Sequence, residues 1–144
     1  MRTIKLILFG KLKEPYLRDA CAEYEKRLGA YCKLETIELP PQRTLDEEAR
    51  LALSKISRQA SVAVLCIEGR QLSSEDFAAW LEQQPNETAI LIGSSHGMSE
   101  ELKARANLRL SMSAMTFPHQ LARVMALEQL YRAFQINTGG KYHK

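Results

Sequence analysis

The sequence predicts one α/β domain in which helices cover both faces of a parallel sheet. Strand-like and helix-like segments alternate along all 144 residues, which is the pattern of repeated βα units. Two strand-like runs, Val62–Ile67 and Thr88–Ile92, are almost continuously apolar, as is typical of strands covered on both faces. The length fits a single core and no linker, low-complexity stretch or repeat interrupts it, so we expect residues 1–144 to form one domain.

The first half of the chain predicts two strands, each followed by a helix. Gly29 is a common stop for the first helix, and Pro40-Pro41 ends the second strand. Thr44 opens the second helix, because Glu47 lies three residues further on at capping-box spacing. The predicted elements are strand Thr3–Phe9, helix Glu14–Leu28, strand Lys33–Leu39 and a helix from Thr44 to about Arg58.

The second half continues the alternation with three more strands. Pro85-Asn86 ends the helix before strand Thr88–Ile92, and Pro118 stands where a first helical residue is expected. The predicted elements are strand Val62–Ile67, a helix from Ser73 or Ser74 to about Gln84, strand Thr88–Ile92, a short helix starting at Ser99, strand Asn107–Ser113, and a last helix from Pro118 to about Phe134.

Charge is distributed unevenly along a chain whose net charge is only +3. The stretch 73–101 contains six acidic residues and no Lys or Arg, whereas 102–144 contains seven basic residues and Glu128 alone. A basic final third attracts phosphates and is compatible with an RNA partner. The alternative is a solvated helical face with the usual excess of Lys and Arg.

Several protein classes are disfavoured by the pattern of residues. No apolar run reaches the roughly 18 residues that a membrane span needs, and the N-terminus lacks a small-residue cleavage site, so we interpret it as a strand. The odd number of cysteines, without CxxC spacing, favours reduced thiols in the cytoplasm. The three histidines lack HxH or HExxH spacing, so we expect no metal site.

The last helix is apolar around much of its circumference. A helix of that kind is covered on more than one side, and in so small a domain we expect one side to contact a second subunit. The alternative is a helix deep in its own sheet. The apolar residues are Leu121, Val124, Met125, Leu127, Leu130, Tyr131 and Phe134.

The chain ends in an aromatic ring, an imidazole and an ammonium group, at Tyr142, His143 and Lys144. Such groups can stack on a base, exchange a proton near neutral pH and contact a phosphate. By spacing alone, a frayed terminus is the favoured interpretation of the tail.

Ligands of parallel sheets bind beyond the carboxyl ends of the strands, which directs attention to the segments after Ile67, Ile92 and Ser113. The loop at 93–97 allows close backbone approach, but it is neither GxGxxG nor a P-loop. Its serines and His96 suggest a hydrolase only weakly, because the chain lacks G-x-S-x-G. The stretch 111–117 could border an adenine with soft side chains and backbone groups, or it could be core.

Taken together, several segments resemble the ribosomal RNA large-subunit methyltransferase H family of the SPOUT class. The resemblance covers essentially the whole chain, and SxSAMTFPH combined with a terminal YHK is highly specific. The matching segments are GKLKE at 10–14, AEYEKRLG at 22–29, LCIEG at 65–69, IGSSHG at 92–97, LSMSAMTFPH at 110–119, Arg123, EQLYRAF at 128–134 and YHK at 142–144.

The resemblance implies transfer of a methyl group from S-adenosylmethionine to N3 of a pseudouridine in 23S rRNA on assembled ribosomes. It also implies a homodimer and a C-terminal trefoil knot. By motif, the tail at 142–144 would complete the substrate site against the neighbouring subunit's donor pocket, with Arg123 and Arg132 contacting substrate. The residues implied to touch the donor are Leu65, Gly93, Met112, Ser113, Ala114, Met115, Thr116 and Phe117.

An in-line methyl transfer needs no metal, and the acceptor N3 must lose a proton, for which His143 is the candidate base or anion-stabilising group. The chain departs from the family at Ser94, where a glycine is frequent, at Cys66, where an acid is frequent, and in a shorter Pro41–Leu45 segment. A different class of function is a non-catalytic RNA-binding factor of the ribosome that uses the pocket as a nucleotide sensor.

Overall fold

The computed structural model describes residues 1–144 and contains five strands and five helices in strict alternation, as the sequence predicts. Element boundaries agree with the predicted ones within a few residues, except at the ends of two elements described below. The elements are β1 (Thr3–Phe9), α1 (Pro15–Leu28), β2 (Lys33–Leu39), α2 (Leu45–Leu53), β3 (Ser61–Gln71), α3 (Ser74–Glu82), β4 (Glu87–Ile92), α4 (Glu100–Arg105), β5 (Leu108–Ser111) and α5 (His119–Asn137).

The five strands form one sheet in the order β2-β1-β4-β3-β5, and every neighbouring pair is parallel. The predicted parallel α/β class is therefore confirmed. In the register of the sheet, Leu65 of β3 lies beside Ile92 of β4 and Leu110 of β5. The carboxyl ends of these three strands consequently share one edge. Strand order and register do not define a knot, so the trefoil knot stays a prediction.

Helices cover the sheet on both faces and create two buried layers. Leu28 of α1, Leu81 of α3 and Leu127 of α5 belong to the larger layer, whereas Ala52 of α2 and Leu102 of α4 belong to the smaller one. Two-sided burial is the reason that β3 and β4 show no polar alternation in sequence. None of the helices combines the length and the hydrophobicity that a bilayer span requires.

Three predicted helix starts are fixed by side-chain caps. The hydroxyls of Thr44, Ser73 and Ser99 each accept a hydrogen bond from the backbone N–H three residues ahead, at 3.0–3.1 Å. Ser73, not Ser74, is thus the cap of α3. Pro118 occupies the N-cap position of α5, one residue before the first helical residue, so the prediction for it is off by one.

The largest differences from the predicted boundaries concern α2 and β3. Helix α2 ends at Leu53, because the N–H groups of Lys55 and Ile56 bond to carbonyls three residues back and tighten the chain into turns. Strand β3 extends to Gln71, because the chain leaves the ladder after Leu65 and rejoins β5 at Arg70. Gly69 makes this detour possible, since a Cβ there would lie 2.7 Å from the backbone carbonyl of Arg109.

We predict that Gly69→Ala destabilises the fold by more than about 2 kcal/mol, because backbone cannot retreat as a flexible side chain can. Gly29→Ala is the matched control: Gly29 has a helical φ of −57°, and its added Cβ would approach no atom closer than 3.3 Å. Its effect should stay within about 1 kcal/mol. Urea unfolding at fixed protein concentration measures both values, and equal effects would contradict the close approach of β3 and β5.

Candidate cofactor pocket and C-terminal tail

A cavity of about 580 Å³ opens at the edge where β3, β4 and β5 end. That volume lies within the range of small-molecule sites, and the position is where parallel sheets bind ligands. Seven of the eight predicted donor-binding residues line it, and Ala114 does not. The seven are Leu65, Gly93, Met112, Ser113, Met115, Thr116 and Phe117.

The turn at 93–97 forms one wall of this cavity. A Cβ on Gly93 would lie 2.4 Å from the carbonyl oxygen of Gly97, and Gly97 itself has a φ of +99°. Both positions therefore need glycine. The N–H of Gly97 donates to the carbonyl oxygen of Ser94 at 2.9 Å, which closes the turn.

The hydroxyl of Ser94 bonds to a carboxylate and to a backbone N–H, and not to an imidazole. It donates to Oε1 of Glu48 on α2 at 2.9 Å, and it accepts the backbone N–H of His96 at 3.3 Å. The imidazole of His96 makes no hydrogen bond to it. Ser94 and His96 therefore do not form the nucleophile–base pair that a serine hydrolase requires.

The opposite wall is the irregular segment between β5 and α5. The Ser111 hydroxyl donates to the carbonyl oxygen of Ser113 at 2.9 Å, and the Ser113 hydroxyl accepts the N–H of Met115 at 3.0 Å. The side chain of Met115 is 73% exposed beside the cavity. No residue at 112–118 belongs to a helix or strand. Apart from the Ser113 and Pro118 carbonyls and the Met115 N–H, the backbone groups of this segment make no hydrogen bond within the chain and can bind a ligand.

An ion pair between Lys103 of α4 and Glu68 also lines the cavity. The hydrogen bond between the two groups raises the pKa of Lys103 and lowers that of Glu68. Cys66 lies in the same wall, and burial raises the pKa of its thiol. The cavity thus combines apolar walls, hydroxyls and one charge of each sign.

The C-terminal tail is placed elsewhere. None of Tyr142, His143 and Lys144 lines the cavity of the same chain. The Tyr142 hydroxyl donates to Oε2 of Glu128 at 2.7 Å, and its ring packs edge-on against that of Tyr131 with centroids 4.8 Å apart. The tail is therefore an ordered structure on α5, not the frayed terminus that spacing alone allowed.

Arg132 connects the tail to α5. Its guanidinium donates to Glu128 and to Nδ1 of His143, the latter at 2.9 Å, and its Cζ lies 4.9 Å from the centre of the Tyr142 ring. Nε2 of His143 lies 2.5 Å from Oε1 of Glu75 on α3. Since a guanidinium only donates, Nδ1 accepts and the proton of a neutral imidazole sits on Nε2.

The electrostatics of this tail cluster follow from its hydrogen bonds. Burial raises the pKa of Glu128, but hydrogen bonds from Arg132 and Tyr142 outweigh that effect and hold it below its ordinary value. Burial, together with hydrogen bonds to Tyr24 and Glu128, raises the pKa of Tyr142. Glu128 is therefore a carboxylate and Tyr142 a neutral phenol at physiological pH.

Arg123 does not line the cavity of its own chain, and its contact with substrate stays a prediction. Its side chain is buried, and Nη1 pairs with Oε2 of Glu38 on β2 at 2.7 Å. The preceding residue, Ala122, does line the cavity. Consecutive helical residues point about 100° apart, so Arg123 turns away from the cavity towards β2.

Comparison with known proteins identifies the family of this chain. A family model described as "Predicted SPOUT methyltransferase" matches residues 1–143. The protein named Ribosomal RNA large subunit methyltransferase H in Clostridium beijerinckii is 46% identical over 158 aligned positions, covering 98% of this chain and 99% of its own. Its namesake in Streptococcus thermophilus is 45% identical over 157 positions with the same coverage.

The chain belongs to the ribosomal RNA large subunit methyltransferase H family of SPOUT methyltransferases. A solved structure, described as a probable methylase family protein from Haemophilus influenzae Rd KW20, matches 98% of this chain and 70% of its own with a TM-score of 0.56. At 11% identity this likeness concerns the fold alone. The 158 aligned positions exceed the 144 residues here, so the Clostridium relative has residues that this chain lacks; the shortened Pro41–Leu45 segment stays a prediction.

Sequence reasoning missed several residues of this SPOUT methyltransferase. Glu68 and Lys103 gave no signal, because they are 35 positions apart and meet only through the fold. Glu48 did give a signal in the sequence, since it lies on the helix face that Leu45, Ala49 and Ala52 make apolar.

The described residues 1–144 contain no group of three His, Cys, Asp or Glu side chains placed to hold a metal.

We predict that Glu128→Gln removes a pH-dependent part of the free energy of unfolding. Because the native pKa of Glu128 lies below its ordinary value of 4.5, its interactions stabilise the fold above that pH and cease to do so as the pH falls through the native pKa. Urea unfolding should therefore show the full difference between variant and wild type at pH 7, and the difference should shrink as the pH falls from 4.5 through the native pKa. Glu23→Gln is the control, since its exposed pair with Arg27 contributes little at either pH.

Proposed function

We propose that this protein is an S-adenosylmethionine-dependent methyltransferase that acts in the cytoplasm on N3 of a pseudouridine in the 23S rRNA of the assembled ribosome. The observation that carries the proposal is the cavity beyond β3, β4 and β5, lined by seven residues that the family motif assigns to the methyl donor. Membership in the ribosomal RNA large subunit methyltransferase H family supplies the substrate class.

The chemistry of the cavity fits S-adenosylmethionine. Leu65, Ile92 and Phe117 offer apolar surface for the adenine, and the irregular backbone at 112–118 offers groups to hydrogen-bond its edge. Serine and threonine hydroxyls in both walls suit a ribose. Glu68 and Lys103 supply opposite charges for an amino-acid end that carries both an ammonium and a carboxylate. When bound, S-adenosylmethionine supplies a methyl group activated by a positive sulfur.

The residues of the chain have two tasks in this reaction. The cavity walls hold the donor end in one orientation, and positioning of this kind can supply roughly 7–11 kcal/mol of the barrier reduction. The acceptor N3 carries a proton at neutral pH, and His143 is the proposed base or the group that stabilises the N3 anion. Tyr142 would stack on the base, while Lys144 and Arg132 would hold phosphate or base carbonyls.

The active unit that we propose is a homodimer. The tail lies on α5 and α3 of its own subunit and does not line its own cavity, so a composite site needs the tail of a partner. Helix α5 offers an apolar surface for this contact, because Leu121 is 41% exposed and Val124 and Met125 are only partly buried. The same α5 carries Arg132, which would face RNA.

The test of the function combines binding and RNA analysis. Calorimetric titration should show S-adenosylmethionine binding to the wild-type protein and no binding of ATP or NAD. Mass spectrometry of 23S rRNA nucleosides from a strain that lacks the protein should show loss of N3-methylated pseudouridine, restored by the wild-type gene. Unchanged nucleosides together with intact ligand binding would instead favour a non-catalytic factor that senses the ligand.

We predict that His143→Ala retains donor affinity within about twofold and loses most turnover, typically 10²–10⁴-fold for a positioned base. Deletion of Tyr142–Lys144 should likewise spare donor affinity, because these residues do not line the cavity of their own chain. Calorimetry and single-turnover methylation of ribosomes measure the two effects. Turnover of His143→Ala at the wild-type rate would remove the role as a base.

A further inference from the structure

Glu48 on α2 is the one carboxylate side chain among the buried residues of the chain, with 4% exposure. It forms no ion pair with Lys, Arg or His. An ionised carboxylate without a cationic partner is costly to bury, and it persists where hydrogen bonds satisfy it. The contacts of Glu48 therefore show what the buried charge holds together.

Its two oxygens contact two different segments. Oε1 accepts the Ser94 hydroxyl at 2.9 Å, and Oε2 accepts the backbone N–H of Gln42 at 3.3 Å. Gln42 belongs to the connection between β2 and α2, whereas Ser94 belongs to the turn that lines the cavity. Glu48 thus connects the turn at 93–97 to a part of the protein that does not line the cavity.

Ser94 also forms hydrogen bonds with other residues of the turn, so its contact with Glu48 bears on the whole turn. Its hydroxyl accepts the N–H of His96 at 3.3 Å, and its carbonyl accepts the N–H of Gly97 at 2.9 Å. Glycines stand at both ends of the turn, and glycine gives a chain more conformational freedom than any other residue. Without the hydrogen bond from Ser94 to Glu48, the turn would have to become ordered when a ligand binds, and the loss of conformational entropy would lower the affinity.

We propose that Glu48 is a positioning residue for the methyl donor: its buried carboxylate, acting through the Ser94 hydroxyl, holds the 93–97 turn in the form that binds S-adenosylmethionine. This inference rests on the proposed function, because it takes the cavity to be the donor site. It assigns Glu48 no contact with the donor or with RNA, since Glu48 does not line the cavity.

The test is a double-mutant cycle read out as donor affinity. Ser94→Ala removes the hydroxyl from a half-buried position, and the variant should fold normally. Glu48→Gln keeps one acceptor oxygen but places an NH2 group against one of the two groups that donate to Glu48. Each single change should weaken S-adenosylmethionine binding about five- to tenfold, the size expected for one lost hydrogen bond. The double variant should be little weaker than either single one, because both act on the same contact.

Two further readouts separate positioning from general destabilisation. Amide hydrogen exchange at 93–97 in the ligand-free protein should accelerate in Ser94→Ala while the exchange of β1 and β4 is unchanged. The KM for the donor should rise, whereas kcat should stay within about twofold of the wild-type value. Asp46→Asn is the matched control, since it removes an exposed charge from the first turn of the same helix and should leave affinity unchanged.

The outcomes are distinguishable from failure of the proposed function. Wild-type protein that does not bind S-adenosylmethionine contradicts the proposed function itself. Wild-type binding with equal affinity in Ser94→Ala contradicts the role of Glu48 alone. Weaker binding with unchanged exchange at 93–97 also overturns it, because the effect would then not act through the turn.

Discussion

The parallel pairing of β3 with both β4 and β5 is the constraint on which the rest of the structure depends. It sets the carboxyl ends of three strands side by side, so that the loops after Leu65, Ile92 and Ser111 converge on one cavity. The pairing with β5 continues past a detour in β3 only because Gly69 lets two backbones approach closely. A site formed by loops is thereby held by three paired strands of the sheet.

Much of this arrangement could be predicted from the sequence, because it depends on local patterns. Buried parallel strands lack alternation, hydroxyl residues precede helices, and glycines stand where backbones meet; each signal lies within a few residues. Six of the seven expected residues that line the pocket come from segments that directly follow strands, and the rule for parallel sheets places such segments together. The ends of α2 and β3 were less predictable, because turns and ladder pairing decide them.

What the sequence could not predict are contacts made across the sheet or between layers. Arg123 looked like a free cation in a basic segment, but it faces Glu38, 85 positions away, in a buried pair. Glu75 of α3 gave no sign of meeting the tail, 68 positions later.

The tail cluster restricts how His143 could serve as a base. Nδ1 accepts from Arg132 and Nε2 carries the proton that faces Glu75, so only Nδ1 is able to take a proton. Arg132 must then withdraw from Nδ1, and Glu128 offers it an alternative partner already within 2.6 Å. Glu75 would stabilise the imidazolium through Nε2, as a carboxylate does for a catalytic histidine in other enzymes. In the proposed reaction, a substrate whose phosphate draws the guanidinium of Arg132 away from His143 would in the same movement free the nitrogen proposed to accept the N3 proton.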